Sequence, residues 1–371
     1  MRVLALDGNP AAVGLDVADH GLVVDIADEA SVVSAVSRYP VEMVVPAPLG
    51  GLLLTAGAIN DALDLPGVSR EQTYRCVDKA AFSETLVAAG LPTPRHVTAC
   101  SERDILDALS ADDPVILKPV RGSGSKGVVV ITPDDQVEVL VREHLASRPP
   151  GEVTLVSEYV SGREVGLDVL VNGGTPEIVA IRDKRLTPLP YRQETALMLP
   201  ACLDASALSS LHACVGALVA ELGIDATPMH LDVIITPTSQ TYVVDCAPRP
   251  SGMFISTKLV PWVTGRDLIL DSICDLQRRD RINMTPSFEA AVLCMLPPSL
   301  SGDSVHAATH ERPDMVFIRP LSRERRPTPV RGTADVLSRG LLLVGAETVA
   351  EAVDKADVLI RQIEQRGPRA L

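Results

Sequence analysis

No CxxC pair occurs among the cysteines at 76, 100, 202, 214, 246, 274 and 294, and their number is odd. That pattern fits a reducing cytoplasm, with thiols such as Cys294 in AVLCMLP acting as small hydrophobes rather than ligands. Positive charge is also short. Lys and Arg number 34 against 48 Asp and Glu, a formal net charge of −14, which excludes general binding to nucleic acid or anionic membrane. No apolar run is long enough to cross a bilayer, since LGGLLLTAGAI meets Asn60 and Asp61 first. The opening MRVLALDGNP has no basic region, long apolar stretch and cleavage site in series, so it reads as a first strand and not a leader. After that strand, DGNPAA lacks G-x-G-x-x-G, which excludes a Rossmann cofactor site. Internal repeats and low-complexity tracts are missing too.

What is present exceeds one hydrophobic core: 371 residues predict two or three subdomains around a cleft. Over residues 1–75, the runs VLAL, LVVDI and EMVVP alternate with helical patterns at 28–38 and 50–63, which predicts a parallel, doubly wound α/β domain. A helix over 77–90 ends at Gly90, and LPTPR stiffens the exit, giving a boundary near 92. Residues 93–185 read as an α+β lobe containing the strands TLVSEYV and EVGLDVLV. Residues 186–371 read as a larger lobe with a helix over 204–223, a hairpin of MHLDVIITP with QTYVVDCAPRP, and a tail of strands closed by a helix.

Chemistry concentrates at VILKPVRGSGSKGV, residues 115–128. Lys118 leaves the strand as a point charge suited to phosphate oxygens, and Gly122, Gly124 and Gly127 let backbone N–H groups approach them. An ordinary hairpin loop is an equal reading of these residues alone. Lys79, Lys126 and Arg249 are further cations beside turns or strand ends, with solvated surface charge as their alternative. Asp232 in HLDVII and Asp245 in VVDCAPR are acids in apolar strands that the hairpin brings together. Burying them is costly without a partner; Mg²⁺ is the economical one, and an Asp245–Arg249 ion pair is the alternative. In SEYVSGREVGLDV, Glu164 can accept from ribose hydroxyls, and the backbone of Tyr159 and Val160 beside Glu158 can meet an adenine edge; plain surface-strand acids remain open.

Taken together, VDK at 77–79, the ILKP strand with its GSGSKGV loop, EYVSGRE, the HLD strand and DCAPRPSG resemble the ATP-grasp superfamily in order and spacing, over essentially the whole chain. The resemblance implies an N-terminal pre-ATP-grasp domain, two lobes clamping the nucleotide, and C-terminal strands plus a helix. It implies ATP and Mg²⁺ as cofactors, and transfer of the γ-phosphate to a carboxylate followed by attack of an amine on the acyl phosphate. By the same resemblance, Lys79 and Lys118 hold the α- and β-phosphates. The loop of Gly122, Ser123, Gly124, Ser125 and Gly127 closes over the γ-phosphate, Glu158 stands by the adenine amino group, and Glu164 takes the ribose. Asp232 and Asp245 ligate Mg²⁺, and Lys126 and Arg249 are the catalytic cations. One departure is Ala247, which stands where the family often has an Asn ligand, so a second metal position is in doubt.

The segment IVAIRDKRLTPLPYRQETALMLP is similar to the substrate-side insert of amino-acid ligases. Arg182, Lys184 and Glu194 would there meet small-molecule carboxylate and amine groups, joined on the substrate side by Ser251 and Gly252, which directly follow Pro-Arg-Pro; a solvated charged loop is the alternative for the three charges. An amino-acid ligase is the first expectation, a purine-pathway carboxylase or formate-using transferase the second, and a non-catalytic nucleotide-binding regulator the third. Arg331, His230 and Trp262 are read as a loop charge, a satisfied strand histidine and a packing residue. A homodimer is the default assembly.

Overall fold

The computed structural model describes residues 1–46, 52–109, 112–149, 151–300, 302–319 and 330–366. At the N-terminus, β1 (Leu4–Asp7) and β2 (His20–Val23) pair in parallel across α1 (Val13–Val17). The helices α2 (Glu29–Val36) and α3 (Leu53–Leu63) follow, and Val32, Val36 and Ile59 close a small core against Leu4, Leu6 and Val24. The strand expected at EMVVP does not form: residues 42–46 carry no ladder, and 47–51, where the next helix was expected to begin, lie outside the described residues.

The helix expected over 77–90 forms as α5 (Lys79–Ala88), and a separate helix, α4 (Arg70–Val77), precedes it. Asp78 separates them in an extended conformation, φ −87° and ψ 113°, and its carboxylate accepts from the N–H groups of Ala80 and Ala81. Lys79 therefore opens a helix, with its own N–H on the Val120 carbonyl at 3.1 Å. Gly90 ends the pair at φ +67°. These helices do not pack with the first domain alone, although the chain boundary was expected near 92. Cys76, Phe82 and Leu86 share a core with Leu211 and Leu218 of the large lobe, and Arg75 pairs with Glu221 at 2.6 Å.

The small lobe contains β3 (His96–Ala99), α6 (Glu102–Ala108), β4 (Val115–Pro119), β5 (Val129–Ile131), α7 (Val137–Ser147) and β6 (Thr154–Glu158). Its strands form an antiparallel sheet in the order β3-β6-β4-β5, packed on both helices through Ile105, Leu117, Val141 and Val156.

The large lobe continues with β7 (Arg163–Asn172), β8 (Thr175–Leu186), β9 (Glu194–Leu199), α8 (Ala205–Leu222), β10 (Thr227–Ile235) and β11 (Thr241–Ala247). A π-helical turn at Ile255–Leu259 leads to α9 (Val260–Thr264) and α10 (Leu268–Leu276). Then come β12 (Ala290–Met295), α11 (Gly302–Thr309), β13 (Met315–Ile318), α12 (Thr333–Arg339), β14 (Leu341–Ala346) and α13 (Val349–Arg366). Among the described residues these strands make one sheet, ordered β11-β10-β7-β8-β9-β12-β14-β13. The expected lobe boundary at 185 is thereby displaced. Gly173 and Gly174, both at positive φ, turn β7 back into β8, and β7 takes β10 on its other edge, so both strands belong to the large sheet. The helix α8 is long and apolar enough to span a membrane by length and composition. Its stripe of Leu211, Val215, Leu218 and Leu222 instead packs into the core under β7 and β10. Trp262 stacks at a tilt on Phe288, 5.0 Å between centroids, in the packing role expected of it.

Candidate active site

The period of two along a strand builds the cleft floor. On β10, Met229, Leu231 and Val233 enter the core, which leaves His230, Asp232 and Ile234 on the opposite face. The same alternation puts Glu164, Gly166 and Asp168 of β7, and Arg182, Lys184 and Leu186 of β8, on that face. Asp232 lies directly opposite Asp245 in the β10–β11 register. A bulge after Asp232 shifts the phase of β11, so Val244 and Asp245 both line the cleft while Val243 and Cys246 stay in the core.

Lysines face these acids. Lys79 lies 3.4 Å from Asp245 and donates to the Gly122 carbonyl at 3.3 Å. No ion pair within 4.0 Å joins Asp245 to Arg249 among the described residues, so that alternative partner is not taken. Lys118 projects from β4 into the same cleft, where burial, and then repulsion from Lys79, pulls its ammonium below the ordinary lysine range. An anion bound there would relieve both effects.

The roof is the loop from Gly122 to Gly127. Gly124, Ser125 and Gly127 all hold positive φ, at 63°, 56° and 77°. A Cβ on Gly124 would meet Thr333 Oγ1 at 2.7 Å, and one on Gly127 would meet Ser147 Oγ at 2.6 Å, so both positions require glycine. His144, fully buried on α7, fixes the end of the loop. Its Nδ1–H donates to the Gly127 carbonyl at 2.6 Å, and its Nε2 accepts from the Thr154 hydroxyl at 2.7 Å. Lys126 is exposed on this loop.

Several expected contacts are engaged differently. Arg182 does not reach the cleft as a substrate cation: it is completely buried, donating to Asp168 at 2.7 Å and contacting His230 at 3.3 Å. Its guanidinium lies across Gly166, where a Cβ would come within 2.7 Å. Ser251, expected beside the substrate, turns its hydroxyl onto Asp168. Lys184 is buried and bridges Glu194 and Asp232, each at 2.5 Å, so neither it nor Glu194 is a free charge. Burial alone would lower Lys184, but the two carboxylates hold it above its ordinary range. Asp232 is correspondingly held below the usual carboxylate range, against the opposing effect of its own burial. His230 is pushed down to about 3 by burial, so it is neutral near pH 7.

Glu158, Tyr159 and Val160 line the outer wall of the cleft. Tyr159 donates its N–H to the Pro114 carbonyl at 3.2 Å, so its carbonyl and the Val160 backbone are what an adenine edge would meet. Glu164 is in contact with Arg192, whose guanidinium sits 5.9 Å from the Tyr159 ring centroid. Sequence reasoning missed Arg192, because a cation in a proline-rich connection carries no strand pattern.

Behind the carboxylates the cleft opens into a chamber of about 1060 Å³. It shares Ser123 through Lys126, Glu194, Asp232 and Asp245 with the cleft and adds Arg249, Ser251, Gly252, Met253, Phe254 and Ile269. Arg249 donates to the Pro250 carbonyl at 2.8 Å, while its buried Nε has no hydrogen-bond partner among the described residues, a donor set suited to an anion. Met253 and Phe254 both hold left-handed backbone, φ 52° and 61°, at the chamber wall.

Among the described residues no cluster of three or more His, Cys, Asp or Glu forms a metal cage. Asp232 and Asp245 nonetheless fit Mg²⁺, which is commonly held by one or two carboxylates together with nucleotide phosphates and water.

Comparison with known proteins agrees with this geometry. The ATP-grasp domain family matches residues 111–258, from the lysine strand to the π-helical turn. A Sinorhizobium fredii protein described as uncharacterized protein y4rH is 27% identical over 204 residues, 53% of this chain and 41% of its own length, so the chain spans less than half of that relative. Among solved structures, the L-amino acid ligase of Bacillus licheniformis superposes with a TM-score of 0.74 at 20% identity, covering 91% of this chain and 84% of that one. The N5-carboxyaminoimidazole synthetase of Staphylococcus aureus, complexed with ADP, gives 0.72 at 16% identity, covering 97% and 90%. The biotin carboxylase domain of the Hydrogenobacter thermophilus 2-oxoglutarate carboxylase, with MgADP and bicarbonate, gives 0.67 at 16%, covering 97% and 84%. Residues 111–258 thus match the ATP-grasp domain family across the lysine strand, its glycine loop and the opposed aspartates, and the chain shares the fold of these solved structures over nearly its full length.

Proposed function

We propose that this chain is an ATP- and Mg²⁺-dependent carboxylate–amine ligase that forms an amide and releases ADP and phosphate. The observation that carries the reading is the junction of two spaces at Asp232 and Asp245: a cleft lined by lysines and glycines, and a chamber entered past Arg249. A nucleotide in the cleft and a second ligand in the chamber would meet at that junction.

In this reading Lys79 and Lys118 address the α- and β-phosphates, and the Gly122–Gly127 loop encloses the γ-phosphate. Glu164, oriented by Arg192, accepts from the ribose hydroxyls. Asp232 and Asp245 hold Mg²⁺, which when bound neutralises phosphate charge. The substrate carboxylate oxygen attacks the γ-phosphorus and ADP leaves; the amine nitrogen then attacks the acyl carbon and phosphate leaves. Arg249 stabilises the charge on the acyl phosphate, and Lys126 adds a cation from the loop. Lys184 holds Asp232 and Glu194 in place rather than touching substrate.

An amino acid or another small carboxylic acid is the preferred substrate. The chamber wall of Met253, Phe254, Ile255, Ile269 and Leu337 is apolar, whereas a purine ribonucleotide needs a second phosphate site. The test is ADP and phosphate release with Mg²⁺, screened against pooled amino acids and small acids, with mass spectrometry of products. An amide mass that requires ATP supports the ligase. Turnover that requires bicarbonate or formate with a purine ribonucleotide supports a carboxylase or transferase instead, and ATP binding without turnover supports a regulator.

A further inference from the structure

The glycine loop is fastened by a segment more than 200 residues away. The N–H of Thr333 donates to the Gly124 carbonyl at 2.9 Å, and a Cβ on Gly332 would lie 3.4 Å from that same oxygen. Next to them, Arg331 crosses to the small lobe and pairs with Glu143 of α7 at 3.2 Å. Its guanidinium also lies 5.4 Å from the ring centroid of Tyr191, and the Tyr191 hydroxyl donates to the other oxygen of Glu143 at 2.5 Å. A fourth tie is close by, from the Val130 N–H to the Pro190 carbonyl at 2.8 Å. Two chain segments distant in sequence, residues 331–333 and residues 190–191, thus converge on the loop and the strand and helix beside it.

This arrangement does not suit a merely solvated arginine. The charge of Arg331 is matched by a carboxylate that is itself tied by a tyrosine, and the guanidinium lies over the ring of that same tyrosine, so it is engaged on two sides. The backbone bond from Thr333 thus falls on a residue held at positive φ, 63° at Gly124. The small lobe otherwise has its own sheet, and among the described residues no strand connects it to the large one.

We propose that Arg331, Glu143 and Tyr191, with the Gly332–Thr333 backbone, form a catch that holds the glycine loop closed over the cleft. Arg331 is then a positioning residue for the nucleotide lid and not a group that touches the chamber ligand. Because Arg331 through Asp335 also line the chamber, the catch links the lid to the chamber wall. The functional meaning of this catch rests on the ligase reading; its existence does not.

Trypsin provides a direct test, since Lys126 is exposed on the loop. In nucleotide-free full-length protein, Arg331→Met is expected to speed cleavage after Lys126 by about three- to thirtyfold, the sum of one exposed ion pair and one cation–π contact. Glu143→Gln is expected to act the same way, and the double variant to add little to either, because both remove one cluster. The KM for ATP should rise in the same proportion, with the thermal midpoint unchanged. Wild-type cleavage rates in both variants, additive effects, or a loss confined to kcat with unchanged KM for ATP would overturn the catch and make Arg331 a chamber residue. If ATP fails to slow cleavage of the wild type while the variants still differ from it, the ligase reading falls and the catch stands.

Discussion

The buried pair of Arg182 and Asp168 allows a prediction whose size follows from its surroundings. Both side chains have no exposure at all, and among the described residues the direct partners of Asp168 are Arg182 and the Ser251 hydroxyl. Arg182→Met leaves a buried carboxylate without its countercharge, which typically costs about 3–5 kcal/mol against a total of about 5–15. With a urea slope of about 3 kcal/mol per molar or less, the midpoint falls by about 1 M or more. Trp262, the single tryptophan, lies in the same lobe and reports the transition by fluorescence. The sign with pH is fixed by Asp168, whose carboxyl burial holds above its ordinary value even with Arg182 beside it. Removing Arg182 raises it further. Native protein then binds the proton more tightly than unfolded protein, so the defect is absent below about pH 3.8, grows as pH rises, and is complete above the folded pKa. It should be larger at pH 7 than at pH 5. Asp168→Leu added to Arg182→Met should recover most of the loss, because an apolar pair leaves no stranded charge. A wild-type midpoint for Arg182→Met at pH 7, or a double variant weaker than the single, would refute the reasoning.

Three further outcomes are expected. Lys118→Ala should weaken ATP binding about ten- to hundredfold, the worth of one hydrogen bond to a charged group, with unfolding unchanged; wild-type affinity by calorimetry would remove Lys118 from the phosphate site. Asp245→Asn should abolish Mg²⁺-dependent ADP release while Lys79 remains folded beside it, and an unaltered Mg²⁺ titration would mean the metal binds elsewhere. Burial, aided by Arg148 and opposed by the Gly127 carbonyl, holds His144 below its ordinary value. Its stabilisation is therefore present above about pH 6.5 and is lost as pH falls toward its folded pKa, so α7 amides should exchange faster at pH 5 than at pH 7 after correction for intrinsic rates. His144→Gln should flatten that difference, and equal pH dependence in both proteins would count against the assignment.

Much of the floor of the site was legible because it depends on strand alternation. Two acids in apolar strands separated by a turn must come together in a hairpin, and Asp232 and Asp245 are register partners. Lys118 was legible for the same reason. What failed depended on which sheet a strand joins and which face a side chain takes. The segment around Arg182 and Lys184 was read as a charged insert, yet it is β8, and its alternate residues face inward because the floor of a charged cleft is itself polar. Spacing gives no sign that Gly166 leaves room for a guanidinium, or that Lys184 is held by two carboxylates. The catch at Arg331 was equally hidden, since its partners are 140 and 188 residues away in sequence.

The packing of α4 and α5 bears on how this chain can be cut. A fragment beginning at residue 93 would discard Cys76, Phe82 and Leu86 from a core they share with α8, and would remove the helices that pack beside the outermost strand, β11. It would also lack Lys79. The unit that builds the cleft thus begins near Val68, inside what the chain order presents as the first domain, and grafting or truncation that respects the linker at 91–95 would separate one cleft lysine, Lys79, from the other, Lys118.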